Sequence, residues 1–350
     1  MNAELLSIAV GLGENFHGQD LRKGGYAGSR LAGGVLSGTR LDESDFRESD
    51  LREVVFDQCQ LAGAMFGGAN LRRAVFHKCE MTHAEFRGAH LLGATFSDCS
   101  LKHAQFIRAG LRMATFSRCV LDHASLAEAV LDATTFNRSS LLDVNADRSR
   151  WSQSNLLECD IRALTWSEAL LHRVVFYKTG LQGRSFAGLA LDGCQFSFAD
   201  LSDANFAGCS LAQCNFQHTT IDGADFSGAK AVHAIFCDAQ GSRVNFAGAN
   251  LRQALFTGAK LAQARFDGAQ LHQCHFAGAD LAGAVFAHAD LTYADFRHGD
   301  LQGADLRDAT MFRAVLHRAK LDGAAMTDRF NALETDPELT RAEDWQPATV

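Results

Sequence analysis

Proline is almost absent from this chain of 350 residues, and both prolines, Pro337 and Pro347, lie near its carboxyl end. Since proline cannot donate a hydrogen bond to a β-ladder, the rest of the chain is free to form one without interruption. Long apolar runs are missing too, and none reaches the roughly 20 residues of a membrane-spanning helix. The first fifteen residues contain Glu4 but no Lys or Arg, so they lack the charged start of a signal peptide. We therefore expect a cytoplasmic protein without a membrane span, which leaves open a secretion route that needs no signal.

The motifs of common enzyme classes are also absent. The sequence contains no glycine-rich phosphate loop, no H-E-x-x-H, no C-x-x-C and no G-x-S-x-G. The net charge of −8 is spread over alternating blocks, acidic in residues 41–60 and basic in residues 101–120. No strong basic field indicates binding to a nucleic-acid backbone. We predict no catalytic residue, no cofactor and no metal site, and direct nucleic-acid binding is not expected.

A strict period of five residues dominates what is present. From residue 16 to residue 326, 63 positions have numbers ending in 1 or 6, and 60 of them hold Leu, Phe, Ile, Met, Trp or Tyr. The exceptions are Ala146, Ala231 and Gly241. This period fits neither a helix nor an alternating strand, so it indicates a repeat architecture.

The other positions of the repeat are equally regular. With the large apolar residue called position i, position i−2 is small, as in Ala64, Ala69 and Cys79, and position i+2 is often Gly, as a tight turn permits. Most charges lie at i−1, i+1 and i+2. Two inward positions in every five suit a chain that turns a corner every five residues. Phe falls almost only on numbers ending in 6 and Leu mostly on those ending in 1, which predicts a coil with an even number of sides.

This pattern resembles the pentapeptide-repeat family, whose motif is approximately A-(D/N)-L-x-x, over residues 16–326. The resemblance implies an all-β fold, a right-handed quadrilateral parallel β-helix with four pentapeptides per coil. About 16 coils at strand spacing would then form a rod roughly 75 Å long. We expect one elongated domain at 16–326, a cap segment at 1–15 that covers the first coil, and an acidic tail at 327–350.

Ten cysteines invite interpretation as a metal or disulfide framework, but nine occupy the small i−2 position, where a free thiol packs like a slightly larger Ala. Cys59, Cys79, Cys99 and Cys119 are spaced by 20 residues, so they should form a column of reduced thiols that fits a reducing cytoplasm. Only Cys237 is predicted to point outward.

All 14 histidines fall at outward positions. His83, His103 and His123 should stack along one edge, where a solvated ladder is favoured over loose metal binding. The aspartates at i−1 belong to the repeat consensus and do not indicate acid–base catalysis.

The register is kept but crowded between residues 139 and 189. The i−2 position there holds Val144, Leu164, Val174, Arg184 and Leu189, which should widen the coil locally. For Arg184 we favour an outward bulge or a kink over a buried functional guanidinium, which would need a partner.

Two segments are candidates for partner binding. The first is an outward apolar stripe at Val175, Tyr177, Phe198, Ile235 and Leu255. Its alternative explanation is the β-propensity of an outward strand face. The second is the tail, where Asp336-Pro337 predicts a helix start and Leu339 and Trp345 fall on one face. A cap over the last coil is favoured there over a dimer or partner contact, and disorder is the third alternative.

Three functional hypotheses follow. The first is a non-enzymatic interaction scaffold or adaptor of bacterial type, including a secretion-system accessory or effector, whose partner is an unidentified protein or a second copy bound through a terminus or the stripe. The second, which the family resemblance implies, is a DNA mimic that binds gyrase as an inhibitor or in quinolone protection. The mixed charge and the lack of inserted loops depart from that type, so no functional residue is carried over. An enzyme is the least expected.

Overall fold

A computed structural model describes residues 2–345 of the chain. They form a parallel β-solenoid of about 16 turns, in which residues 20 apart lie side by side on neighbouring coils. A coil therefore contains four pentapeptides, which confirms the predicted fold class. Contacts divide the chain into two compact units, Met1–Gly180 and Leu181–Val350, and each is described by itself.

The N-terminal unit, Met1–Gly180, begins with helix α1 at Ala3–Gly11. Its main sheet has nine parallel strands in the order β1-β2-β3-β4-β5-β6-β7-β9-β11, and β8 pairs with β10 in a second sheet. The strands are β1 Phe16–His17, β2 Val35–Ser37, β3 Val55–Asp57, β4 Val75–His77, β5 Thr95–Ser97, β6 Thr115–Ser117, β7 Thr135–Asn137, β8 Arg150–Ser152, β9 Asn155–Leu157, β10 Leu170–His172 and β11 Val175–Tyr177.

The C-terminal unit, Leu181–Val350, is held mainly by single parallel bridges between residues 20 apart. Its strands are β12 Asp305–Leu306 and β13 Ala325–Met326, which pair with each other. A 3-10 helix at Arg329–Asn331 and helix α2 at Pro337–Glu343 follow.

Four of the five N–H groups of a typical pentapeptide donate to backbone carbonyls. Around Phe66, the N–H of Phe66 donates to the Glu85 carbonyl at 2.6 Å on the following coil, and that of Met65 donates to the Ser44 carbonyl at 2.9 Å on the preceding one. The N–H of Ala64 closes a turn onto the Leu61 carbonyl at 3.1 Å. The N–H at i+1 is left over, and an Asp or Asn at i−1 accepts it, as in Arg47 to Asp45 at 3.0 Å. The consensus Asp therefore completes the backbone hydrogen bonding of the repeat.

The i+2 position lies in the left-handed region of backbone conformation. It is glycine in many repeats, but Glu43, Arg73 and Phe198 have φ values of 56°, 57° and 62°. None of the described residues with positive φ is Val, Ile or Thr. Branching at Cβ makes this conformation more strained, so the turn selects against these three residues.

Phenylalanine rings form two columns inside the coils. Phe96 stacks on Phe76 and Phe116 with ring centroids 4.7 Å away on each side, and meets Phe86 and Phe106 edge-on at 6.0 and 6.2 Å. Offset-stacked and edge-to-face pairs are the favourable arrangements of aromatic rings. Phe therefore stacks on Phe at a spacing of 20 residues, which agrees with the even number of sides predicted from the alternation of Phe and Leu.

The columns are interrupted in the crowded segment by an exchange between neighbouring positions. Ala146 stands where Phe or Leu is usual, and Trp151, in the adjacent leucine column, is fully buried. The Trp151 Nε1 donates to the Ser149 Oγ at 2.7 Å, and that hydroxyl donates to the Ala146 carbonyl. The indole N–H is thus directed, through the Ser149 hydroxyl, toward the Ala146 backbone. A narrow apolar gap remains, too small to admit a water molecule, lined by Trp151, Leu156, Trp166, Leu171 and Phe176.

The third exception to the pattern, Gly241, also has a packing cause. A Cβ added to Gly241 would lie 2.8 Å from the backbone carbon and the Cγ1 of Ile221 on the preceding coil. The branched Ile221 therefore occupies the space in which a side chain at 241 would begin.

Arg184 does not form the bulge that we favoured. Its N–H closes the usual turn onto the Leu181 carbonyl at 3.1 Å, and its carbonyl accepts the N–H of Asn205 at 2.8 Å. The backbone is therefore regular, and the half-buried side chain occupies the small position itself. Burial lowers the pKa of the guanidinium.

The first coil of the N-terminal unit and the last coil of the C-terminal unit are both covered. Leu6 and Val10 of α1 are buried, and the Ser7 Oγ accepts the N–H of Arg30 at 3.1 Å. At the other end, the tail accepts N–H groups of the last coil through Asp328 to Met311, Asn331 to Arg313, Leu333 to Leu316 and Thr335 to Arg318, at 2.7–3.1 Å. Strand addition at the last coil is therefore blocked where these groups are already bonded.

Candidate interaction surfaces

The aspartates at i−1 are bonded within the repeat. Each accepts the N–H at i+1 at 2.9–3.1 Å, and the set comprises Asp200, Asp225, Asp280, Asp290, Asp295, Asp300 and Asp305. Where Arg follows at i+1, it adds a bidentate pair, and hydrogen bonding from Arg307 holds the pKa of Asp305 at about 2. The interpretation of these residues as repeat consensus is confirmed.

Many remaining charges are neutralised between coils. The Arg108 Nε lies 2.7 Å from the Glu128 Oε2, the Arg118 Nε lies 2.7 Å from the Asp98 Oδ1, and the Lys320 Nζ lies 3.0 Å from the Asp300 Oδ2. Exposed pairs of this kind contribute little to stability, but they cancel charge on the walls. The units differ nevertheless: the N-terminal unit has 20 basic and 21 acidic residues, and the C-terminal unit has 13 and 20, so the latter carries −7 of the net −8.

The predicted apolar stripe falls on both units. Val175 and Tyr177 are half-buried at the two ends of β11. In the C-terminal unit, Ile235 and Leu255 are half-buried bridge partners, while Phe198 is 48% exposed and stacks on His218 at 4.9 Å. Only Phe198 therefore offers a large exposed surface, which the β-propensity explanation does not account for.

Exposed apolar side chains concentrate at the terminal segments instead. Among the described residues, twelve large hydrophobic side chains are exposed, and only Met113, Leu170 and Phe198 lie well within the coils. The others are Leu5, Ile8 and Leu12 on α1, and Tyr293, Phe312, Phe330, Leu333, Leu339 and Trp345 near the carboxyl end. The sequence predicted Leu339 and Trp345 as contact residues but not the exposed apolar residues of α1. A short apolar run does not show which side of the helix is covered.

The tail contact residues differ in their surroundings. Trp345 is 71% exposed and lies beside Glu338, Arg341 and Ala342 of α2. Leu339 is 39% exposed and does not line that surface. The helix begins as predicted, with the Asp336 Oδ1 accepting the N–H of Glu338 at 2.8 Å.

The cysteines behave as core residues. All ten are free, nine are buried and Cys237 is half-buried. The thiols do more than fill space, because Cys79 and Cys99 donate to the Phe56 and Phe76 carbonyls at 3.3 and 3.4 Å. Burial raises the pKa of Cys159 to about 11 and that of Cys274 to about 12, so neither thiol is activated as a nucleophile.

The predicted histidine ladder is present. His103 stacks on His83 and His123 with ring centroids 4.8 and 5.0 Å apart. Two imidazole nitrogens on one zinc ion lie at most about 4.2 Å apart, since each bond is about 2.1 Å. Near-parallel rings at these separations present their nitrogens in the same direction rather than toward a common ion, which favours the solvated ladder.

One histidine departs from the expectation of outward exposure. His317 is 2% exposed because the tail packs over it. With His298 and Glu343 it forms a cluster whose potential ligand atoms lie within 4.8 Å of one another. The His317 Nε2 is 3.2 Å from the Glu343 Oε2, and the His298 Nε2 is 3.3 Å from its Oε1.

This cluster is better suited to hydrogen bonding than to a metal ion. The His317 Nδ1 accepts the N–H of Asp336 at 3.1 Å, so a neutral ring carries its proton on Nε2, where a metal would need a lone pair. The Arg318 Nε also lies 3.3 Å from the Glu343 Oε2. Burial opposes ionisation of Glu343, but the hydrogen bonds of His317 and His298 lower its pKa overall. The cluster therefore attaches α2 to the last coils.

Among residues 2–345, no helix combines the length and the apolar character needed to cross a bilayer.

Comparison with known proteins identifies the repeat. The family described as "Pentapeptide repeat region" matches residues 69–146, 189–266 and 249–326, and "Pentapeptide repeats (8 copies)" matches residues 27–58. A comparison with curated proteins gave no match.

Several solved structures are similar. HetL, a pentapeptide repeat protein involved in heterocyst differentiation regulation from Nostoc sp. strain PCC 7120, is 22% identical, with 93% of this chain and 97% of HetL covered and a TM-score of 0.23. QnrB1, a plasmid-mediated fluoroquinolone resistance protein, is 21% identical over 63% of this chain and 91% of its own, with a TM-score of 0.30. The A-module of the mannuronan C-5 epimerase AlgE6 from Azotobacter vinelandii is 12% identical, with coverages of 96% and 94% and a TM-score of 0.22. Since the family matches cover well over half of the sequence, this chain belongs to the pentapeptide-repeat family.

Proposed function

We propose that the protein is a non-enzymatic scaffold that binds protein partners through side chains displayed on its coils. The observation that carries this proposal is that residue types capable of chemistry serve the repeat itself. The Cys79 thiol donates to a backbone carbonyl at 3.3 Å, and Asp200 accepts a turn N–H at 3.0 Å. What remains for function is the surface.

The body surface that we favour for a partner surrounds Phe198. This ring is 48% exposed and stacks on His218, and the half-buried Ile235 and Leu255 belong to the same proposed stripe. Exposed aromatic rings surrounded by polar groups are typical anchors of protein interfaces.

Comparative affinity capture from the native cell tests this surface. The wild type, Tyr177→Asp and Phe198→Asp are used as baits, with Met113→Asp as a matched control at a 65% exposed position. We expect a protein retained by the wild type and the control to fall at least about tenfold with Phe198→Asp, since an anchor contributes 2 kcal/mol or more. Equal recovery of every captured protein with all four baits would contradict the proposal.

We further propose that the protein works in a bacterial cytoplasm as an adaptor, including the secretion-accessory role. All ten cysteines are free, which suits a reducing compartment. Fractionation of the native cell, with detection in cytoplasm, periplasm and medium, tests the location. Recovery only from an oxidising compartment would contradict it.

The second candidate is a DNA mimic that binds gyrase. The charge of −7 on the C-terminal unit favours it. The paired charges of the N-terminal unit and the bonded aspartates weigh against a continuous array of free carboxylates resembling phosphates. A gyrase supercoiling assay decides: unchanged supercoiling and unchanged quinolone sensitivity at every protein concentration would remove this candidate.

A further inference from the structure

We propose that copies of this protein associate head to tail, with α1 of one copy docking on an aromatic surface at the carboxyl end of the next. The partner in this inference is a second copy, so it is independent of the scaffold function proposed above. It rests on two exposed apolar surfaces and on the charges beside them.

The first surface is the outer face of α1. Leu6 and Val10 are buried against the first coil, whereas Leu5, Ile8 and Leu12 are 57%, 54% and 77% exposed. The three exposed residues follow the spacing i, i+3 and i+7, which is the anchor pattern of a helix that docks through one side. α1 therefore presents apolar residues on two faces, only one of which is covered within the described chain.

The second surface, here called the aromatic surface, consists of Tyr293, Phe312 and Phe330. Their side chains are 42%, 49% and 100% exposed. Tyr293 and Phe312 meet edge-on at 5.8 Å. The N–H of Arg313 donates to the Asn331 carbonyl at 2.7 Å, which brings the backbone next to Phe330 alongside the segment that carries Phe312.

The caps favour side-chain contacts over strand addition. The tail already occupies N–H groups of the last coil, as in Leu316 to Leu333 at 2.8 Å. On the first coil, the Ser7 Oγ occupies the N–H of Arg30. A second copy therefore meets mainly apolar side chains at these ends.

The net charges of the two terminal segments are opposite in sign. Residues 2–40 contain four basic side chains, Arg22, Lys23, Arg30 and Arg40, against the three carboxylates Glu4, Glu14 and Asp20, a net charge of +1. The tail between residues 327 and 345 contains six acidic and two basic residues, a net charge of −4. A helix docked at the carboxyl end would bring these two segments together, which favours this pairing over the contact of two acidic tails.

The small size of both surfaces limits the strength of the association between copies. Three exposed residues on each side fall below the total of roughly 1,000 Å² expected of a stable interface. We therefore expect weak association that increases with concentration and decreases with salt. Because the two surfaces differ, each copy retains one unused surface, and association is not limited to dimers unless a ring closes.

Sedimentation velocity over a concentration series tests the proposal. The wild type should increase in sedimentation coefficient with concentration, less so at high salt. Ile8→Asp and Phe330→Asp should each remain monomeric alone, while Leu170→Asp, a control at a 64% exposed position within the coils, should behave as the wild type. Leu12→Asp repeats the test at a 77% exposed position, and circular dichroism verifies folding.

Mixing the two variants separates this arrangement from a symmetric one. Ile8→Asp retains its aromatic surface and Phe330→Asp retains its α1 face, so a 1:1 mixture should form one dimer and nothing larger. A wild type that stays monomeric throughout, an Ile8→Asp or Phe330→Asp protein that still self-associates, or a mixture that stays monomeric would overturn the proposal. The test of the scaffold function measures whether Phe198→Asp no longer retains a different protein. Either proposal can therefore fail while the other holds.

Discussion

Within the N-terminal unit, residues 41–138 and residues 139–180 obey the same five-residue register but pack their interiors differently. In the first region, phenylalanine rings repeat at 4.7–5.3 Å along one column from Phe46 to Phe106, where Leu126 follows, and along the other from Phe56 to Phe136. In the second region, Ala146 interrupts one column, the Trp151 indole is bonded to Ser149, and a narrow apolar gap remains.

The hydrogen bonds to the backbone and the turns of the coils, in contrast, are the same in both regions. Cys119, Ser139 and Cys159 continue one column of side-chain donors to backbone carbonyls, at 3.4, 3.3 and 3.4 Å. The left-handed turns also continue, with φ of 54° at Ala133 and 56° at Ala163. The backbone ladder and the turns therefore keep the coil regular where the residues of the core change.

The largest expected effect comes from removing a ring in the regular region. Phe96→Ala should lower the free energy of unfolding by about 3–5 kcal/mol, because two stacked and two edge-on partners lose their contact. Urea unfolding followed by circular dichroism measures it. Ser97→Ala, on the same strand, should change stability by less than about 0.5 kcal/mol.

Leu156→Ala sharpens the comparison, since Leu156 lies in the same column but already borders the gap. We expect its cost to be smaller than that of Phe96→Ala. A larger cost for Leu156→Ala would mean that the irregular core is packed as tightly as the regular one.

The second prediction concerns Ala146, where the large apolar residue of the repeat is missing. Ala146→Phe should destabilise the protein by about 1–3 kcal/mol through overpacking, because the Trp151 indole is directed toward Ala146. The double variant Ala146→Phe/Trp151→Leu should recover most of this loss. A double-mutant cycle measures the coupling, and additive effects would show that the two positions do not exchange volume.

The sequence predicted the contacts that recur with the repeat and missed those that do not. The register assigned Cys59 and Cys79 to buried positions and His83 and His103 to a stacked edge because these contacts recur every 20 residues. It did not anticipate the regular backbone at Arg184, because the five-residue pattern alone does not reveal how a large side chain is accommodated at a small position.

The features missed at the ends depend on contacts outside the repeat. His317 occupies an outward register position but is buried, because Glu343 and Asp336 of the tail bind it. The exposed face of α1 depends on which side of a nine-residue helix meets the first coil. Neither contact has a period, so neither could be read from spacing.

The third prediction concerns the pH dependence that the buried Cys159 thiol gives to stability. Burial raises the pKa of Cys159 from 9.0 to about 11, so between these values the unfolded chain loses a proton that the folded chain keeps. Stability from this thiol is complete below pH 9 and falls as pH rises toward 11, by at most about 1.4 kcal/mol per pH unit. Unfolding measured from pH 8 to 11 should therefore decline less steeply for Cys159→Ser, whose hydroxyl can replace the thiol as Ser139 does in the same column. Parallel profiles for the two proteins would contradict the buried thiol.

The smallest effect concerns the turns and should be the same in both regions. Ala133→Gly and Ala163→Gly replace residues with φ of 54° and 56°, so each should stabilise the protein by about 1 kcal/mol or less by relieving left-handed strain. Ala127→Gly is the matched control, because Ala127 lies outside the positive-φ turn positions and glycine there should destabilise through backbone entropy. Urea midpoints measure all three. A gain at Ala133 without one at Ala163 would mean that the irregular core also distorts its turns, whereas equal gains would confine the irregularity to the interior.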